Sequence, residues 1–149
     1  MQSIKPEKIA IDYDNYHAEH IGITSDGLQF FLTTPFEPAF PNTEGCEYIA
    51  LFKFDLEGNL VDSTIDTLGP RGSYDDDFRK EKYLSRLDEL GEVKFQRIEV
   101  KPFSIEHNGV KMGLIVREPE EEDDVWAVEM LPGNYMAFFE PWDSGEYDT

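Results

Sequence analysis

Carboxylates dominate the chemistry this chain can offer. From Glu118 onward there are eleven acids and neither lysine nor arginine. Most fall in two groups. Glu118, Glu120, Glu121, Glu122, Asp123 and Asp124 form one run, and Asp143, Glu146 and Asp148 follow near the end. Trp126, Trp142 and Tyr147 stand among them. Acidic charge speeds encounter with a basic surface, and aromatic anchors then hold it. These twelve residues form the candidate protein-binding set, provided the chain folds back to bring them to one face. A solvated acidic face accounts for the same carboxylates without any partner.

Other polar clusters have simpler explanations. Asp12, Asp14, His17 and His20 in DYDNYHAEH are ligand types for zinc or another transition metal, but their spacing fits no specific motif. DLEGNLVD, residues 55–62, alternates oxygen ligands as a calcium loop does. Its glycine is fourth rather than sixth, and the twelfth residue is Asp66 rather than glutamate, so a hairpin turn explains it better. Asp75, Asp76 and Asp77 suit the first turn of a helix, where free amides favour negative charge. Cys46 has no catalytic histidine partner legible in the sequence. There is no G-x-S-x-G elbow and no H-E-x-x-H pair, and LGPRGS and DSGE do not make a phosphate loop. The reading is therefore non-catalytic, with no metal and no cofactor. Hydrolysis by paired carboxylates, or a metal-dependent reaction, stays as an alternative because acids are so abundant.

The elements that must position these groups are mostly strands. Residues 1–15 form an irregular lead-in in which IAI, 9–11, suits a short strand. Residues 20–24 and 28–34 flank a Ser-Asp-Gly reversal, and three prolines mark 35–45 as a loop. EYIALFKFDLEGNLVDSTI is the strongest hairpin. Both faces of its first strand are largely apolar, which predicts a strand covered on both sides. One helix is expected at about residues 74–90, capped through Ser73 and Asp76 and stopped by Gly91. Its apolar stripe is Tyr83, Leu84, Leu87 and Leu90. Strands return at 95–100, 103–106, 110–117, 125–131 and 135–140, with an Asn-Gly reversal at 108–109 and a turn at 132–134. The sum is an α+β fold: a mainly antiparallel β-sheet with one principal α-helix packed on it, in a single compact domain spanning 1–149.

The apolar alternation of VWAVEML and YMAFFEP argues against a free acidic tail. Each large apolar side chain gains about 1.5–3 kcal/mol on burial, so the chain should be folded through about Pro141. Trp142 and Tyr147 are then expected to wrap back onto the body.

Composition sets the class of partner. Acids outnumber lysine plus arginine by 32 to 13, a formal charge of -19. Direct nucleic-acid binding is disfavoured because phosphates are held by positive side chains. Anionic membranes are disfavoured for the same reason, and no stretch has the length of a transmembrane helix. A basic protein is the partner such a surface suits. The single cysteine allows no internal disulfide, and the first residues lack a secretory apolar run, so a cytoplasmic setting is expected. The sequence leaves oligomeric state open.

HIGITSDGLQFF, EYIALFKFDLEGNLVDSTIDTLGPR, GLIVREPE and MAFFEPWDSGEYDT together resemble small bacterial proteins labelled formate hydrogenlyase regulatory protein. The resemblance spans most of the chain and implies a regulatory role but no defined active site. A DNA-binding repressor needs a basic recognition surface, which this chain lacks throughout. The expectation is a regulatory or binding protein acting through a protein partner. An immunity protein that masks a basic toxin is the alternative.

Overall fold

A computed structural model describes residues 4–133 and 136–149. Its order is β1 (Ile9–Ile11), β2 (His20–Thr24), β3 (Gln29–Thr33), β4 (Phe36–Glu37), β5 (Cys46–Phe54), β6 (Leu60–Gly69), α1 (Asp76–Glu89), β7 (Val93–Phe95), β8 (Ile98–Val100), β9 (Phe103–His107), β10 (Val110–Arg117), β11 (Ala127–Leu131) and β12 (Ala137–Phe138). This is the α+β class: antiparallel sheets with one helix.

β5 is the organising strand. β6 pairs along one edge of it, and β3 pairs in register with the other, Thr33 opposite Ala50 and Gln29 opposite Phe54. Beyond the break at Pro35, β4 continues that register along the same edge, with Phe36 opposite Glu47. The Tyr48 N–H bonds to the Pro35 carbonyl between them at 3.0 Å. β2 and β7 complete the six-stranded sheet.

Period-two alternation then builds two cores. Phe30, Leu32, Ile49 and Leu51 meet Leu90 at the end of α1, with Tyr83 and Leu87 of the helix packed against them. Phe31, Ala50, Phe52 and Phe54 turn to the opposite face. There they meet Leu114, Val128, Met130 and Phe138 of the β9–β12 sheet, and Ile9, Ile11, Ile98 and Val100 of the β1–β8 pair. The first strand of the strongest hairpin is buried on both faces because it lies between these two layers.

The helix departs from expectation at its ends and on its face. Asp75 is the N-cap, accepting from the Asp77 N–H, while the Ser73 hydroxyl donates to the Pro70 carbonyl. A carboxylate directly before the first turn satisfies a free amide there, so the cap moves two residues along. Leu84 is 55 % exposed and lies outside the packed stripe. Arg86 makes a fork with Asp66 of β6, at 2.6 and 2.8 Å, that ties helix to sheet.

Residues 95–100, expected as one strand, are divided. β7 joins β2 in the large sheet and β8 joins β1 in the small one. Gly22 permits the first of these pairings, since a Cβ there would lie 2.0 Å from the Lys94 carbonyl oxygen. The calcium-like stretch is a turn whose Asp55 carboxylate accepts from the Glu57 and Asn59 N–H groups. Buried Gln29 clamps that turn to β8. Its amide donates to the Asp55 and Glu99 carbonyls and accepts from the Glu99 N–H, so all three contacts fall on backbone groups. The hairpin between β9 and β10 turns at Asn108 and Gly109, both with positive φ, as a two-residue reversal requires. The last strand is shorter than expected, Ala137–Phe138. Its expected start at Tyr135, the turn residue Asn134 and the first three residues of the lead-in lie outside the described residues. No described helix is long and apolar enough to cross a membrane.

Candidate functional site

Two surfaces gather chemistry, and they differ in character. The first is the loop between β10 and β11. Asp124 is its internal anchor: its carboxylate accepts from the Glu120 and Val125 N–H groups and from Arg117 at 3.0 Å. The backbone bonds first, then Arg117, hold that carboxyl below the usual range. Glu118, Glu120, Glu121, Glu122 and Asp123 are exposed. Beside them Val125 is 41 % exposed and Trp126 is half-buried, with the Lys5 ammonium 5.9 Å from its ring centroid. A concavity of about 540 Å³ opens here between Lys5, Arg117, Glu118, Glu120 and Trp126.

The chain end folds back onto the body as a wrap. The Ala10 N–H bonds to the Trp142 carbonyl at 2.9 Å and the Asp12 N–H to the Gly145 carbonyl at 3.0 Å. Trp142 and Tyr147 pack against the larger core. The Trp142 indole N–H donates to the Ile4 carbonyl at 3.1 Å, and the Glu140 carboxylate accepts from the Ile4 N–H. Trp126 and Trp142 therefore both lie against residues 4 and 5 of the lead-in. Tyr147 goes elsewhere. Its hydroxyl accepts from the His17 N–H at 3.0 Å and bonds to the Asp14 carboxylate. The Asp143 carbonyl accepts from Arg97, and Asp148 is paired through its backbone with Ala137. Glu146 is exposed. The wrap thus follows β1 toward residues 14–17.

The second surface is a groove between α1 and the β2–β5 region, made of two adjoining hollows of about 480 and 760 Å³. They share Tyr16, His17, Thr34 and Arg79. In one hollow His20 Nδ1 is hydrogen-bonded to the Tyr83 hydroxyl, and its ring meets Phe95 edge-on at 5.6 Å. In the other, Glu47 is held by Arg71 at 2.5 Å and by the Tyr74 hydroxyl. Burial alone would raise the Glu47 carboxyl, but the bonds from Tyr74 and Arg71 outweigh it and hold it low. Burial, together with the same contact, pushes the Tyr74 hydroxyl up to about 12.

Asp12, Asp14, His17 and His20 of DYDNYHAEH are engaged in contacts within the fold. Asp12 pairs with Arg97 at 2.9 Å, and Asp14 accepts from the Tyr16 N–H at 2.7 Å. Among the described residues no three metal-capable side chains converge.

Burial lowers His17 and His20 below their ordinary value of 6.5, with Asp14 and Glu19 only partly opposing it. A histidine held low in the folded state stays neutral while the unfolded chain takes up a proton. Its stabilising contribution is complete above 6.5 and is lost as pH falls through the lowered value. Urea unfolding should therefore show stability dropping from about pH 7.5 to about pH 5.5, before the carboxylates titrate. His20→Phe should flatten that slope, and an unchanged slope would refute this origin.

Sequence reasoning passed over Arg79, Tyr74 and Tyr83 as site residues. The only local signal was the position of Arg79 early in the helix. The contacts that give these residues meaning join residues 16–20, 34, 47 and 71–83, and no local pattern announces that assembly. No family model, curated protein or solved structure matches the chain.

Proposed function

We propose that the chain is a non-catalytic, cytoplasmic binding protein with a regulatory role, engaging a basic protein surface through its acid-rimmed tryptophan end. The observation that carries this reading is the meeting of Trp126 and Trp142 on residues 4 and 5, beside five exposed carboxylates. Half-buried indoles surrounded by acids match what a charged partner needs: fast encounter from the rim and holding energy from the anchors. Val125 and Ile4, 41 and 67 % exposed, extend the apolar part. The 118–124 run carries no base, so a nucleic-acid backbone would be repelled there.

The test is capture of partners with the whole chain, followed by affinity measurement across salt. Binding should weaken as salt rises. Trp126→Ala should cost about 2 kcal/mol of affinity, the scale of an interface anchor. Reversing Glu120, Glu121 and Glu122 to lysine should mainly slow association. Absence of any specific partner at low and physiological salt refutes the reading, as does a partner indifferent to both variants.

A further inference from the structure

The arginines of this protein are almost fully committed. Arg71 is paired with Glu47, Arg86 with Asp66 and Glu89, Arg97 with Asp12, and Arg117 with Asp124 and Glu129. Arg79 is the exception. It is half-buried, it lines both hollows of the groove, and it makes no ion pair with any described residue. That is unexpected where acids exceed bases by 32 to 13. The guanidinium feels the Glu47 charge but forms no ion pair with it, so its fork can take a further anion directly. The acids lining the groove do not supply it. Glu47 is bonded to Arg71 and Tyr74 and only adds its charge near Arg79, Glu19 is exposed, and Asp76 belongs to the first turn of α1.

We propose that this groove binds a small molecule carrying an oxyanion on a flat ring, with Arg79 gripping the anion and the groove's aromatic rings receiving the flat part. The guanidinium fork matches carboxylate or phosphate in two parallel hydrogen bonds, and exposed Lys80 adds a second positive charge beside it. Tyr16 supplies the outer stacking face. It is 69 % exposed, and its ring lies 4.0 Å from that of His17, which is itself 6.0 Å from Tyr147. Each hollow has the volume of a small-molecule site, roughly 300–1,000 Å³. The charge of -19 does not forbid an anion here. Salt screens exposed charges beyond about 8 Å, so the groups in contact decide. This site is separate from the acid-rimmed end and does not rest on the function proposed for it.

Calorimetry and amide chemical-shift titration with phenyl phosphate, phenylacetate and inorganic phosphate test the proposal. At least one ring-bearing probe should saturate, shifting amides of residues 16–20 and 79–83, and the stronger of the two identifies the anion. Arg79→Ala should weaken that probe by about tenfold or more, with Arg79→Lys intermediate, because lysine keeps the charge but loses the fork. Lys8→Ala, on an exposed part of the lead-in, should change nothing. Tyr16→Ala, outside every strand and helix, should weaken the ring-bearing probes but not inorganic phosphate, and it serves if the Arg79 variants unfold. No saturation by either ring-bearing probe up to about 10 mM, beyond ordinary weak binding, overturns the site. So does binding that ignores both substitutions. Inorganic phosphate binding as tightly as phenyl phosphate removes the ring from the proposal.

Discussion

Phe52→Ala is expected to lower the free energy of unfolding by about 4 kcal/mol, near the upper end for a single core truncation. Phe52 is fully buried on β5, opposite Phe31, with its ring 4.7 Å from that of Phe103 in an edge-to-face contact. Phe103 also meets Phe54 at 5.4 Å, so three rings join the six-stranded sheet to the β9–β12 sheet. Removing the Phe52 ring leaves a hollow that closes only if one hydrogen-bonded sheet moves bodily toward the other. That rigidity is why the cost should include the cavity as well as the lost transfer energy. Urea denaturation followed by circular dichroism measures it. A loss below about 1.5 kcal/mol would mean that the layers relax together.

Deleting residues 142–149 should destabilise the fold by about 3 kcal/mol, counting backbone hydrogen bonds and half-buried aromatic area against the ordering entropy recovered. The deletion takes away the acceptors of the Ala10 and Asp12 N–H groups and both backbone bonds between Ala137 and Asp148. It also strips Trp142 and Tyr147 from the larger core. Hydrogen exchange separates this from general loosening: amides of 9–12 should lose protection first, while those of β3 and β5 keep theirs. Unchanged protection at 9–12 would show the wrap to be dispensable. Gly145 offers a gentler probe. Any side chain there would meet the Asp12 carboxylate, since a Cβ would lie 2.4 Å from Oδ1.

The elements most legible in the sequence were those whose signal is local. The β5–β6 hairpin was readable because alternation, a Gly-Asn break and two apolar faces all occur within one short stretch. The α1 stripe was readable for the same reason, although Leu84 shares the helical spacing and still faces water. Periodicity names a face but not how far the covering layer extends. The division of 95–100 was not readable, since β7 and β8 alternate alike and only distant partners separate them. Tyr147 shows the same limit at the candidate sites. Its aromatic and acidic surroundings in sequence placed it with Trp126, whereas its bonds run to Asp14 and His17.

β1 has a consequence for the order in which the protein is completed. Both of its partners follow it in the chain: one of its edges is taken by 98–100 and the other by 142–145. During synthesis from the amino end, Ile9 and Ile11 have no strand partner until residues 98–100 have emerged, and the second edge waits for 142–145. Pairings of such long sequence separation form slowly, because the chain entropy of closing the loop comes due before the contact repays it. The central hairpin can assemble early, and joining the two ends of the described chain along β1 is the step that waits.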